Sequence, residues 1–208
     1  MAETKNRCRL FFQFPAQPSA ELEAQLARAV ANADAACVLL CGDGALIDEN
    51  HGGHLLHLVQ SRGLACLIAN DTGLAERLGA DGVHIRADAS LYTEVRKRLG
   101  ESASIGVGCG LSRHQAMRLA EMGADYIAFA TEGSIDAINQ YTDLIAWWSE
   151  IFVVPCVAWD VDSPEDAARF AALGADFVAP SVRIWRGDDP ASLIAEIDNA
   201  IRRVRRAA

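Results

Sequence analysis

One eight-residue pattern recurs along this chain and limits what it can fold into. It reads LGADGVHI at 78–85, MGADYIAF at 122–129 and LGADFVAP at 173–180, with NADAACVL at 32–39 as a weaker copy. Each copy is a helix end, a tight turn, an Asp and an apolar strand. The Gly supplies the left-handed backbone that stops a helix, and the Asp suits the turn into the strand. The copies precede the second, fourth, sixth and eighth strands of the overall pattern. The repeating unit is therefore two strands and two helices, and four such units around a ring close a barrel.

The segments between the copies complete the alternation. Apolar runs predict strands at 9–14, 36–41, 64–69, 82–85, 103–107, 125–130, 151–158 and 176–180. Helices are predicted between them. Ser19, Asp71 and Ser112 stand as N-caps, Ser163-Pro164 as a helix start, and Gly79, Gly100, Gly123 and Gly174 as stops. Eight strands alternating with eight helices in 208 residues predict one domain, residues 1–208, folded as a single compact (β/α)₈ TIM barrel. An open doubly wound sheet shares the alternation. The fourfold repeat favours closure.

Bulk properties narrow the function classes. A formal charge of −9 argues against nucleic acid, because phosphate contacts need clustered cations. The basic run Arg202-Arg203-x-Arg205-Arg206 reads as the end of the last helix, where cations complement the dipole. No apolar stretch is long enough to span a membrane, and the apolar segment near the N-terminus is too short for a secretory signal. The expectation is a cytoplasmic protein with no membrane partner; homo-oligomerisation stays open. Six cysteines without CxxC or zinc spacing read as buried thiols, with Cys109 set apart because it falls at a strand exit.

In a barrel the chemistry sits at the C-terminal ends of the strands. That rule brings Asp43, Asp71, Asp88, Glu132, Asp160 and Asp162 to one mouth. Oxygen ligands from separate strands can hold Mg²⁺ together with a substrate phosphate, and Asp71 can act as cap and ligand at once. Asp81, Asp125 and Asp176 fall at the opposite face, where residues serve stability. His51, His54 and His57 drift around a helix and read as a solvated face. His84 lies in a buried strand, as a hydrogen-bonded core histidine or a base. Gly108-Cys109-Gly110 forms a strand exit where backbone N–H groups can approach a ligand.

The stretches IANDTGLAERLGADGVHI, IGVGCGLSRHQAMRLAEMGADYIAFA and VPCVAWDVDSPEDAARFAALGADFVAPS closely resemble segments of the thiamine phosphate synthase and thiazole tautomerase superfamily. The resemblance runs from about residue 64 to 181. It implies a compact (β/α)₈ barrel that joins a pyrimidine diphosphate to a thiazole phosphate, with Mg²⁺ and basic residues holding the diphosphate. Carried over by position, Asn70 and Asp71 match the pyrimidine-diphosphate and Mg²⁺ residues. Asp88 stands one residue before the family's second metal ligand. Gly108, or Cys109 with a one-residue insertion, takes the place of the family Ser after strand five. Arg86 and Ser181 join them as expected substrate-binding residues at the mouth.

The mouth departs from the family pattern elsewhere. Cys41-Gly42-Asp43 replaces Arg-Glu-Lys, Thr131-Glu132-Gly133-Ser134 replaces a Thr-rich loop with a Lys, and Trp159-Asp160 replaces paired glycines that cradle the thiazole phosphate. Two alternatives follow. One is a non-catalytic ligand-binding or regulatory barrel. The other is a tautomerase-like enzyme on thiazole phosphate, whose base would come from His84, Cys109 or Asp71.

Overall fold

A computed structural model of the chain describes residues 7–42, 46–131 and 135–204. Its order is β1 (Arg9–Pro15), α1 (Ala20–Asn32), β2 (Ala35–Cys41), α2 (Glu49–Gln60), β3 (Ala65–Ala69), α3 (Thr72–Leu78), β4 (Gly82–Arg86) and α4 (Ala89–Leu99). The second half runs β5 (Ser104–Gly110), α5 (Arg113–Glu121), β6 (Tyr126–Phe129), α6 (Ile135–Ile151), β7 (Cys156–Trp159), α7 (Pro164–Ala172), β8 (Phe177–Ala179) and α8 (Pro190–Arg203). All strands are parallel, in sequence order, and β8 returns to β1 through Arg9↔Phe177 and Leu10↔Val178. The expected closed barrel is what forms; the open sheet is not.

The recurrent Asp explains itself in this geometry. Asp81 Oδ2 accepts the Cys66 N–H at 2.7 Å, and the Asp81 N–H donates to the Cys66 carbonyl at 2.9 Å. Asp125 does the same with Ile105, at 2.8 and 3.0 Å, and Asp176 with Cys156, at 2.9 and 3.1 Å. Each copy thus clamps the first residues of an odd strand to the next even strand, and satisfies an N–H that the barrel rim would leave unpaired. The weaker copy differs as its sequence does. Asp34 takes the Leu10 N–H on its main-chain carbonyl, and its carboxylate binds the Arg9 guanidinium instead.

Strand alternation sends side chains to two layers. Leu10, Phe12, Val38, Ile68, Val83 and Val107 pack outward against the helices. Phe11, Leu39, Leu67, Tyr126, Ala128 and Val157 fill the barrel interior. Gly106 faces that interior, and a Cβ there would fall within the ring of Tyr126. The glycine therefore makes room for the one large ring that β6 sends inward.

Two elements differ from expectation. The apolar run 151–158 is strand only from Cys156, because Ile151 ends α6 and Phe152 stacks on Trp148 with ring centroids 4.0 Å apart. Val153 is left 99% exposed. Those residues close the end of a helix rather than a sheet, an ambiguity that short apolar runs carry. β5 continues past Val107 to Gly110, with an irregularity in register between Gly108 and Gly110. A short 3₁₀ turn, Val182–Arg186, also precedes α8.

Candidate active site

The floor of the mouth is aromatic. The His84 ring stacks on Trp159, with centroids 4.6 Å apart, and lies nearly parallel to Tyr126, at 5.7 Å, and Phe11 packs against both Tyr126 and Trp159. The Tyr126 hydroxyl meets His84 Nδ1 at 3.0 Å. Burial pushes the imidazole down to about 4, so it is neutral at physiological pH. Gly108 leaves space beside His84, where a Cβ would stand 3.1 Å from Nε2. Trp159 thus closes the barrel beneath the mouth at the end of β7.

Two backbone kinks shape the rim. Asn70 and Asp160, the first residues after β3 and β7, are the non-glycine residues with positive φ among those described, at 56° and 58°. Asn and Asp tolerate this conformation better than other side chains. The Asn70 N–H donates to the His84 carbonyl at 2.9 Å, which fixes the kink against β4. Asp71 then caps α3, its Oδ1 accepting the Leu74 N–H at 2.8 Å. A hollow of about 230 Å³ lies beside them, lined by Gly42, Leu46, Ile47, Ala69, Asn70 and Asp71.

Asp88 caps the next helix in the same way. Its Oδ1 accepts the N–H groups of Ser90 and Leu91 at the start of α4, and its Oδ2 lies 3.4 Å from Arg86 Nη2. The Leu91 N–H, helped by Arg86 and the Ser90 N–H, holds the Asp88 carboxyl below the usual carboxylate range. Among the described residues no three His, Cys, Asp or Glu side chains converge as a metal site. The donors present fit a Mg²⁺ ion of a different kind, bound through one or two carboxylates with its remaining oxygens from substrate phosphate and water. Asp71 fits that role because no described residue hydrogen-bonds its Oδ2.

The other expected site residues separate. Cys109 turns into the layer between barrel and helices, and burial raises its thiol to about 12. Arg86 extends into solvent, its side chain 74% exposed. Ser181 is buried and caps the 3₁₀ turn after β8. Its N–H and Oγ donate to the two carboxylate oxygens of Asp162, at 2.7 and 2.8 Å, and Arg183 Nη2 lies 3.6 Å from the same carboxylate. Asp43 and Glu132 lie outside the described residues.

The end of β7 carries a feature that sequence reasoning does not assemble. Gln13, inside β1, donates through Nε2 to Asp160 Oδ1 at 3.1 Å and to the Pro180 carbonyl at 3.2 Å. Trp185 Nε1 in turn donates to the Gln13 carbonyl at 2.6 Å. Partial burial, followed by repulsion from Asp162, raises the Asp160 carboxyl above its usual range despite the Gln13 bond. Beside Asp160 opens a cleft of about 640 Å³, whose wall includes Thr131, Tyr141, Arg169, Phe170 and Arg183. Tyr141, Arg169 and Phe170 come from α6 and α7, and in the sequence they read only as faces of amphipathic helices.

Residues 49–184 match the family model described as thiamine monophosphate synthase. The thiamine-phosphate synthase of Erythrobacter litoralis is 38% identical, over 72% of this chain and 75% of that one. That of Rhodospirillum centenum is 34% identical, over 94% and 98%. Thiamine phosphate pyrophosphorylase from Pyrococcus furiosus superposes with a TM-score of 0.78 over 95% of this chain and 96% of its own, at 16% identity, and 3-hexulose-6-phosphate synthase from Salmonella typhimurium with 0.73 over 93% and 98%, at 18% identity. These two show the barrel. The family model and the two sequence relatives go further: the chain belongs to the thiamine monophosphate synthase family.

Proposed function

We propose that the protein joins a pyrimidine diphosphate to a thiazole phosphate, releasing pyrophosphate and forming thiamine phosphate. The observation that carries this reading is the 34% identity to a thiamine-phosphate synthase across 94% of the chain, with Asn70 and Asp71 set at the rim of the mouth. Asp71, with Asp88 once its Oδ2 parts from Arg86, would hold Mg²⁺ there, which when bound neutralises charge gathering on the departing pyrophosphate. The chain's own residues do the rest. The kink at Asn70 carries the chain from the end of β3 directly into the α3 cap at Asp71. Trp159, Tyr126 and His84 close the floor, so a ligand above them is shielded from water below. The reading also places the protein in the cytoplasm, in keeping with six cysteines free of disulfides; among the described residues no helix is long and apolar enough to cross a membrane.

A second reading has an observation of its own. Trp159 and Asp160 fill the end of β7 with a bulky ring and a carboxylate, which suits a barrel that binds a ligand without turning it over. The tautomerase reading finds no poised base in two of its candidates. Burial holds His84 at about 4 and Cys109 at about 12.

One assay decides. Purified protein receives the pyrimidine diphosphate, the thiazole phosphate and Mg²⁺, and thiamine phosphate is followed by chromatography. The expected result is turnover that falls at least tenfold in Asp71→Asn. Ligand-induced thermal shifts without product favour the binding protein, and neither product nor shift removes both readings.

A further inference from the structure

The end of β8 holds an anion of the chain's own. Asp162 takes the Ser181 N–H at 2.7 Å, the Ser181 hydroxyl at 2.8 Å and the Arg183 guanidinium at 3.6 Å. N–H, hydroxyl and guanidinium donors together are what a phosphate oxygen seeks. In barrels of this class the loops after the seventh and eighth strands, with a short extra helix, frequently form the phosphate seat. Here those donors are committed to a carboxylate from the loop after β7.

A cleft opens on the same side. The Thr131 Oγ1 is shut off from solvent and has no hydrogen-bond partner among the described residues. Thr131 lines the 640 Å³ cleft together with Arg183, with Arg169, which makes no ion pair among the described residues, and with the carboxylates of Asp160 and Asp166. Arg183 therefore stands between two claims, the Asp162 carboxylate on one side and the cleft on the other.

We propose that Asp162 is an intramolecular competitor for ligand phosphate: it occupies Ser181 and Arg183, and a phosphate monoester entering the cleft binds only as far as it displaces that carboxylate. The Val161 N–H, bonded to the Ala179 carbonyl at 3.1 Å, anchors the backbone just before it, so exchange requires only the side chain to turn away. The Asp162 side chain is 36% exposed and has solvent to turn into. Identification of the phosphate as that of the thiazole rests on the synthase reading; the competition itself does not.

The test is Asp162→Asn, which keeps an acceptor for the Ser181 N–H and removes the charge. Inorganic phosphate is titrated calorimetrically into wild type, Asp162→Asn, and Asp162→Asn with Arg183→Ala, with circular dichroism confirming the fold. The expected result is phosphate affinity at least about tenfold tighter in Asp162→Asn, the loss of one close like-charge contact, and return to the wild-type value when Arg183 is also removed. In turnover assays the KM for thiazole phosphate falls while that for the pyrimidine diphosphate stays. An unchanged phosphate affinity, or a gain that survives loss of Arg183, overturns the proposal. If Asp162→Asn does not fold, Asp162→Gly is read the same way, and failure of both to fold assigns the carboxylate a structural role and overturns it too. Tighter phosphate without product from any variant upholds the competition and removes the synthase reading; product without any change in phosphate affinity does the reverse.

Discussion

His84 makes stability dependent on pH in a way that can be isolated. The imidazole is buried against Trp159 and Tyr126, and its Nδ1 is engaged by the Tyr126 hydroxyl, whose own ionisation burial pushes far above the usual range. No carboxylate hydrogen-bonds the ring among the described residues, so nothing offsets desolvation, and the folded value lies at about 4 against 6.5 in the unfolded chain. Between those values the unfolded chain binds more protons. Stability from this group is therefore intact above about pH 6.5 and lost as pH falls toward 4. At about 1.36 kcal/mol per unit the full loss is roughly 3.4 kcal/mol, of which roughly 2 kcal/mol has gone by pH 5. Asn in place of His84 keeps a polar group near Tyr126 and cannot titrate. Urea unfolding of wild type and His84→Asn at pH 7.5 and 5.0 separates this group from the carboxylates common to both. The wild type is expected to lose about 2 kcal/mol more than the variant, a further drop in Tm of about 4–8 °C for a chain of this size. Equal losses, or an NMR titration of the His84 ring centred near 6.5, would refute the desolvation account.

Two further substitutions probe the barrel itself. Asp125→Ala strips the acceptor from the Ile105 N–H and from Arg96, whose Nη2 lies 2.6 Å from the carboxylate; an orphaned N–H and a lost charged bond predict about 2–4 kcal/mol of destabilisation in chemical unfolding, and a loss under about 0.5 kcal/mol would deny the clamp its role. Gly106→Ala drives a methyl into the Tyr126 ring, so a loss of about 3 kcal/mol or failure to fold is expected from overpacking. Tyr126→Leu in the same chain should recover some of that loss; no recovery would place the strain elsewhere.

The base of this barrel was legible because it is made of one bond used three times. Asp81, Asp125 and Asp176 each reach back to the first residues of the preceding strand, and each needs the same Gly-Ala turn to aim it. Local chemistry repeated in sequence is visible as a repeat. Strand ends were harder. The run 151–158 is apolar throughout, yet its first residues cap α6 through the stack of Phe152 on Trp148, and nothing in their hydropathy separates helix closure from strand.

The mouth follows the opposite rule. Asn70 and Asp71 were readable because one kinked residue and one cap lie side by side in the chain. The β7–β8 end was not, because each of its bonds joins residues far apart: Gln13 to Asp160 across 147 positions, Trp185 to Gln13 across 172, Ser181 to Asp162 across 19. Composition says that Asp160 and Asp162 add negative charge at the end of β7. Geometry assigns them different partners, Asp160 an amide from β1 and Asp162 the hydroxyl and guanidinium after β8. Two acids two residues apart thus have separate consequences. Asp160 stiffens the rim above Trp159, and Asp162 holds the donors that an incoming anion must win. A chain with Trp159 and Asp160 at the end of β7 can still keep phosphate donors near the mouth, provided the carboxylate that occupies them can leave.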